Sequence, residues 1–229
     1  MLKKYLISGA AIILVLVGVG FLAWQQGFLG GDQALRRQIK NNPALLSLYD
    51  KAELKAQELA KHPDNAALYF DLGLYWKSIA EQGGPKEFFN KSLMVYEQGI
   101  EKFGQKNILF YLNAGKLAEH VDDFVKAESY YQKAIAISSG DESGYLDLAE
   151  LYEYRFKKSK DEIVAVFQAG EKKLVNPTPI LAAEASYRRR IGDNVAALEE
   201  YKVLSQAFPN NPGFKEIIQE LEAKIKEAK

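Results

Sequence analysis

The residues with the most chemistry to offer are the two histidines. His62 sits in the turn His62-Pro63-Asp64-Asn65, and His120 lies beside Glu119, Asp122 and Asp123. An imidazole among carboxylates can begin a metal site or a general-base pair. Either use needs several convergent groups, and neither histidine has a second histidine or a cysteine near it. Both read as solvated helix ends. The chain has no cysteine, which removes thiolate metal sites, disulfides and cysteine nucleophiles. No Ser-His-Asp order, zinc signature or phosphate-cradling glycine loop occurs, and Gly18-Val19-Gly20 lies inside an apolar run. The sequence predicts no enzyme, no cofactor and no metal.

Charge narrows the partners further. Formal charge is zero, and without the first 31 residues 28 basic and 30 acidic residues remain. Phosphate binding needs a basic field, so nucleic acid is not the expected partner. Lys3 and Lys4 precede a stretch whose heart, Leu6 to Trp24, is almost wholly apolar. A spanning helix needs about 20 such residues. Tyr5 and Trp24 stand near its ends, where amphipathic rings favour the headgroup layer. A cleaved leader has a shorter apolar core of about 7–15 residues followed by a small-x-small site, and Phe21-Leu22-Ala23-Trp24-Gln25 offers none. Residues 5–24 are therefore expected to cross a lipid bilayer, with 1–31 forming anchor and juncture. Lys3 and Lys4 nearly balance Arg36, Arg37 and Lys40 across that segment. A very short leading tail usually stays cytoplasmic, and long following domains translocate regardless of charge. The expectation is a single-pass protein of the cytoplasmic membrane whose bulk lies outside the cytoplasm.

The rest of the chain reads as helices. A first polar helix spans about Asp32 to Asn41, and Asn41-Asn42-Pro43 starts a second, Pro43 to Lys61, with a stripe of Leu45, Leu48, Tyr49, Ala52, Ala56 and Leu59. The stretch Leu109–Ile137 reads as two amphipathic helices joined by a polar turn at Val121–Asp123. It carries small residues at Ala114, Gly115, Ala127 and Ala134 and aromatic ones at Tyr111 and Tyr131. Small residues opposite bulky ones let helices approach closely. A lone hairpin cannot bury both faces, so this pattern predicts copies of itself.

The spacing Tyr111–Ala114–Gly115–Ala118, then Ala127–Tyr131–Ala134, resembles the tetratricopeptide repeat (TPR), a helix–turn–helix unit of about 34 residues. Upstream, Tyr69–Leu72–Gly73–Trp76 and Ser92–Tyr96–Gly99 match its helices A and B, separated by a lengthened loop through Glu81–Pro85. Downstream, Tyr145–Leu148–Ala149–Tyr152 and Ile163–Phe167–Gly170 match again, with a slight insertion around Lys157–Lys160. The last copy is Leu181–Ala185 followed by Ala197–Tyr201–Leu204 and Pro209, with Glu184 and Arg188 where apolar residues are expected. The resemblance implies an all-α, right-handed superhelical solenoid of antiparallel helix pairs. Four repeats would cover 65–211, degenerate capping helices 32–64, and a C-terminal capping helix 212–229. That last helix carries Phe214, Ile217, Ile218, Leu221 and Ile225 on one side.

In that family, helix A positions line a concave groove that grips an extended peptide or a partner helix. The resemblance nominates Phe70, Leu74 and Lys77, then Leu109, Leu112, Asn113 and Lys116. The third unit adds Leu146, Asp147, Glu150, Glu153 and Tyr154, and the last adds Arg189 and Arg190. Such a wall would suit a ligand combining an apolar anchor with charges of both signs. For Arg188–Arg190 a solvated helix end is an equal reading. One branch of the family clamps chaperone C-terminal carboxylates with Lys, Asn, Asn, Lys and Arg. Here only Asn113 matches, while Phe70, Leu74, Ser143 and Asp147 hold the other positions, so that ligand is not expected. The resemblance implies a membrane-tethered protein-interaction scaffold, in secretion or envelope assembly. The alternative is a permanent structural subunit of an envelope or pilus assembly complex, which outer apolar patches would favour.

Overall fold

A computed structural model describes residues 32–228, and the expected bilayer segment at residues 5–24 lies outside them. Among the described residues there is no strand, and no helix is long and apolar enough to cross a membrane. The helices are α1 (Gln33–Gln38), α2 (Pro43–Lys61), α3 (Ala66–Glu81), α4 (Glu87–Phe103), α5 (Leu109–His120) and α6 (Phe124–Ile137). There follow α7 (Ser143–Leu151), α8 (Lys160–Glu171), α9 (Thr178–Arg190), α10 (Asn194–Ala207) and α11 (Pro212–Glu227). Local chemistry sets most of these starts, because the first amides of a helix need acceptors from outside it. Asp32, Asn42, Asn65, Asp123 and Asn211 each accept from an amide in the first turn of the helix they precede. Asn107, Asp141 and Asn176 do the same for Leu109, Ser143 and Thr178.

The chain divides into two compact units, one ending at Asp122 and the other beginning at Asp123. The turn expected at Val121–Asp123 is present, and it is also this boundary.

In the first unit, α2, α3, α4 and α5 pack each on the next. α3 and α4 run antiparallel, because Tyr69 meets Phe103, Gly73 meets Tyr96 and Trp76 stacks on Phe88. Two helical glycines make this packing close. A Cβ on Gly73 would stand 2.6 Å from the Tyr96 ring, and one on Gly99 would stand 2.2 Å from the Phe110 ring. The bare backbone of Gly73 also accepts the buried Ser92 hydroxyl at 2.7 Å.

In the second unit, α6 through α11 likewise pack in sequence. The core between α7, α8 and α9 holds Tyr145, Ala149, Ile163, Phe167, Ile180 and Tyr187. A second core holds Ala185, Ala197, Tyr201, Leu204 and Leu221, against which Phe214, Ile217, Ile218 and Ile225 of α11 pack. The insertion expected near Lys157–Lys160 is taken up earlier, where α7 runs into a wider π-helical turn, Tyr152–Phe156. A π turn accommodates an added residue without breaking the helix. Lys157 then adopts left-handed backbone at φ 52°, and α8 starts afresh.

That restart rests on a capping box. The Ser159 hydroxyl accepts from the Glu162 amide, and the Glu162 carboxylate accepts from the Ser159 amide and hydroxyl. These bonds, with Lys158 beside them, hold the Glu162 carboxyl down at about 2. A depressed carboxyl stabilises the fold above its unfolded value, so the box persists until pH falls well below the usual carboxylate range. Ser159→Ala is expected to destabilise the second unit by about 1 kcal/mol, measured by urea unfolding.

Candidate interaction surfaces

The sequence nominates positions on the A helices α3, α5, α7 and α9, and each unit holds two of them. In the first unit α3 and α5 adjoin, since Phe70 stacks on Phe110 with ring centroids 4.1 Å apart. Phe70 is accordingly half-buried and tied to the core. Leu74, one turn further along α3, is 53% exposed, and Leu109 at the start of α5 is 52% exposed. Single exposed apolar side chains are common, but these two stand on adjoining helices and offer apolar area that a partner would bury. Lys77 pairs with Glu81 at 2.9 Å, and Lys116 is exposed. Asn113 turns its amide back onto its own helix, donating to the Leu109 carbonyl at 2.8 Å. Leu112 is buried at 7% exposure and has little surface to offer a ligand. His120 ends α5 as expected, with its ring stacked on Phe89 at 4.3 Å. His62 caps the end of α2, at the mouth of a shallow hollow lined by residues 61–67.

In the second unit the nominated charges satisfy one another. Arg190 binds Glu153 through Nε at 2.9 Å, and Tyr154 lies 5.7 Å from the same guanidinium. The π turn carries both Glu153 and Tyr154 and so presents them to the end of α9. Arg189 pairs with Glu220 of α11. Leu146 and Asp147 are half-buried, while Glu150 is exposed. The two arginines are therefore neither a bare basic patch nor a solvated end. A ligand would have to displace the chain's own carboxylates to reach them, and half-exposed pairs of this kind hold by only about 0–1 kcal/mol.

Arg188 has a different fate. Its side chain is 12% exposed and uses all three guanidinium nitrogens: Nη2 on Glu184 at 2.5 Å, Nη1 on Asp193 at 3.0 Å, and Nε on Glu200 at 2.7 Å. Glu184 is 2% exposed, and Glu171 of α8 faces the same cluster. Asp193 stands at the N-cap of α10 but makes no cap there, because its carboxylate is engaged by Arg188 and by Lys160 at 3.2 Å. Burial first, then the neighbouring Glu184, pushes the Glu200 carboxyl up to about 7. The same two causes, in the same order, raise Glu171. The departures at Glu184 and Arg188 mark one end of this cluster in the sequence. The other members come from separate helices and carry no spacing signal. Among the described residues no group of acidic or histidine side chains is arranged to hold a metal ion.

No family model matches the sequence, and no curated protein does. Solved structures do. The chain is similar to MamA at 16% identity and a TM-score of 0.51, over 76% of this chain and 89% of that one. It is similar to YrrB, a TPR protein with an unusual peptide-binding site, at 14% identity and a TM-score of 0.51, over 76% and 85%. At these identities the likeness speaks for architecture. The described chain has an all-α, TPR-like fold.

Proposed function

We propose that the protein is a non-enzymatic scaffold that holds a protein or peptide partner on the A-helix faces of its TPR-like pairs. The observation that carries this reading is the pair Leu74 and Leu109, large, half-exposed apolar side chains on the two adjoining A helices of the first unit. YrrB, with its peptide-binding site, offers a precedent on the same architecture. The partner expected here supplies an apolar anchor to Leu74 and Leu109. Residues 5–24 tether the scaffold to the cytoplasmic membrane, with the helical units outside the cytoplasm, in secretion or envelope assembly. Tethering raises the local concentration of scaffold and partner, so weak contacts suffice.

Photocrosslinkers placed at Leu74, Leu109 and Glu150 in intact membranes test the reading. They are expected to trap a protein or peptide, while a probe at Val203, 53% exposed on a B helix, traps none. Silent A-helix probes beside stoichiometric capture of one neighbour at Val203 would replace the receptor by a structural subunit. Deletion of residues 1–31 is expected to release the chain from the membrane fraction.

A further inference from the structure

Three carboxylates meet one arginine between α8, α9 and α10. Arg188 can neutralise one of Glu171, Glu184 and Glu200, and its nitrogens are already spent on Glu184, Glu200 and Asp193. One oxygen each of Glu171 (Oε1) and Glu200 (Oε2) is buried with no partner among the described residues. Like charges confined in a poorly solvated space cannot all stay ionised. We propose that this cluster is a proton-operated latch: it fastens α9 to α8 and α10 while one carboxyl group is neutral and slackens when all three are charged.

The groups that bear on Glu200 come from every side of it. α9 supplies Glu184 and Arg188, α8 supplies Glu171, and the turn before α10 supplies Asp193, itself held by Lys160. On the other side of α10, two acids of α11 have cations of their own, Glu220 with Arg189 and Lys224 and Glu222 with Lys202. The sign follows from proton counting. Glu171 and Glu200 bind protons more tightly folded than unfolded, so their contribution is whole below the ordinary carboxylate range. For Glu200 it is lost as pH rises through about 7, and Glu171 acts in the same sense. Carboxyls that the fold holds low, such as Glu58, Glu162 and Glu220, act in the opposite sense and only at more acid pH. In the first unit Lys91 is lowered by burial, which favours that unit as pH rises. Between pH 6 and 8 the two units should therefore respond differently. The latch is independent of partner binding.

Hydrogen exchange of the full chain in non-ionic detergent, corrected for intrinsic rates, tests it at those two pH values. The opening equilibrium of α9 and α10 is expected to rise about tenfold from pH 6 to pH 8, with no such rise in the first unit. Glu200→Gln, neutral throughout, should abolish the change. Equal or greater protection of α9 and α10 at pH 8, or a change that survives in Glu200→Gln, overturns the latch. Should that variant not fold, the side-chain carboxyl resonance of Glu200 in the unaltered chain decides. A midpoint near pH 7 upholds the proposal, and a midpoint in the ordinary carboxylate range ends it.

Discussion

Phe110→Ala is expected to cost the first unit about 3–5 kcal/mol, the range for emptying a buried aromatic site. The Phe110 ring is fully buried and stacks on Phe70 at 4.1 Å and Phe103 at 5.9 Å, with Tyr69 and Tyr96 meeting it edge-on. It also closes over the bare backbone of Gly99. Removing it strips α3, α4 and α5 of their shared wedge, and no neighbouring chain can follow, since the rings around it are held by their own packing. Denaturant unfolding followed by Trp76, itself fully buried in this unit, reads the loss directly. A loss below about 1 kcal/mol would mean that the site collapses freely and that Phe110 is not the wedge.

Arg188→Ala should be as damaging for a different reason. It leaves Glu184, Glu200 and Asp193 without the cation they share, and breaking a buried pair on one side costs about 3–5 kcal/mol. The loss should be larger at pH 8 than at pH 6, because a proton can partly replace the missing charge. Exchanging Arg188, Glu184 and Glu200 together for Met, Leu and Leu is expected to restore stability or raise it. Arg190→Ala, which removes a half-exposed guanidinium from beside Glu153 and Tyr154, should cost under about 1 kcal/mol. Urea unfolding of the four proteins at both pH values separates these outcomes. Equal costs for Arg188→Ala and Arg190→Ala would refute the special standing of the buried arginine.

Much of the fold is legible in the sequence because it is built from local signals. The start of α2 at Pro43, the lengthened loop after Glu81, the turn at Val121–Asp123 and the apolar stripe of α11 all follow from capping residues and helical spacing. The π turn is less legible. An extra residue announces itself only as disturbed spacing, which the sequence places near Lys157–Lys160 and the backbone absorbs at Tyr152–Phe156. The candidate surface is legible only in part. Leu74, Leu109 and Glu150 are exposed, whereas Leu112 is buried. Arg189 and Arg190 read as available charge until Glu220 and Glu153, far away in sequence, are found beside them. The buried cluster eludes periodicity altogether. Its parts lie on three helices, and only the polar pair Glu184 and Arg188 at an apolar station betrays it.

The two ring-covered glycines couple positions that no hydrogen bond or charge connects. Bulk at residue 99 and bulk at residue 110 share a single volume, and the same holds for 73 and 96. A lineage that gained a methyl group at either glycine would have to shed ring atoms across the interface at nearly the same step. Among descendants of this chain these two pairs should therefore vary together or not at all, a constraint written in occupied space rather than in binding.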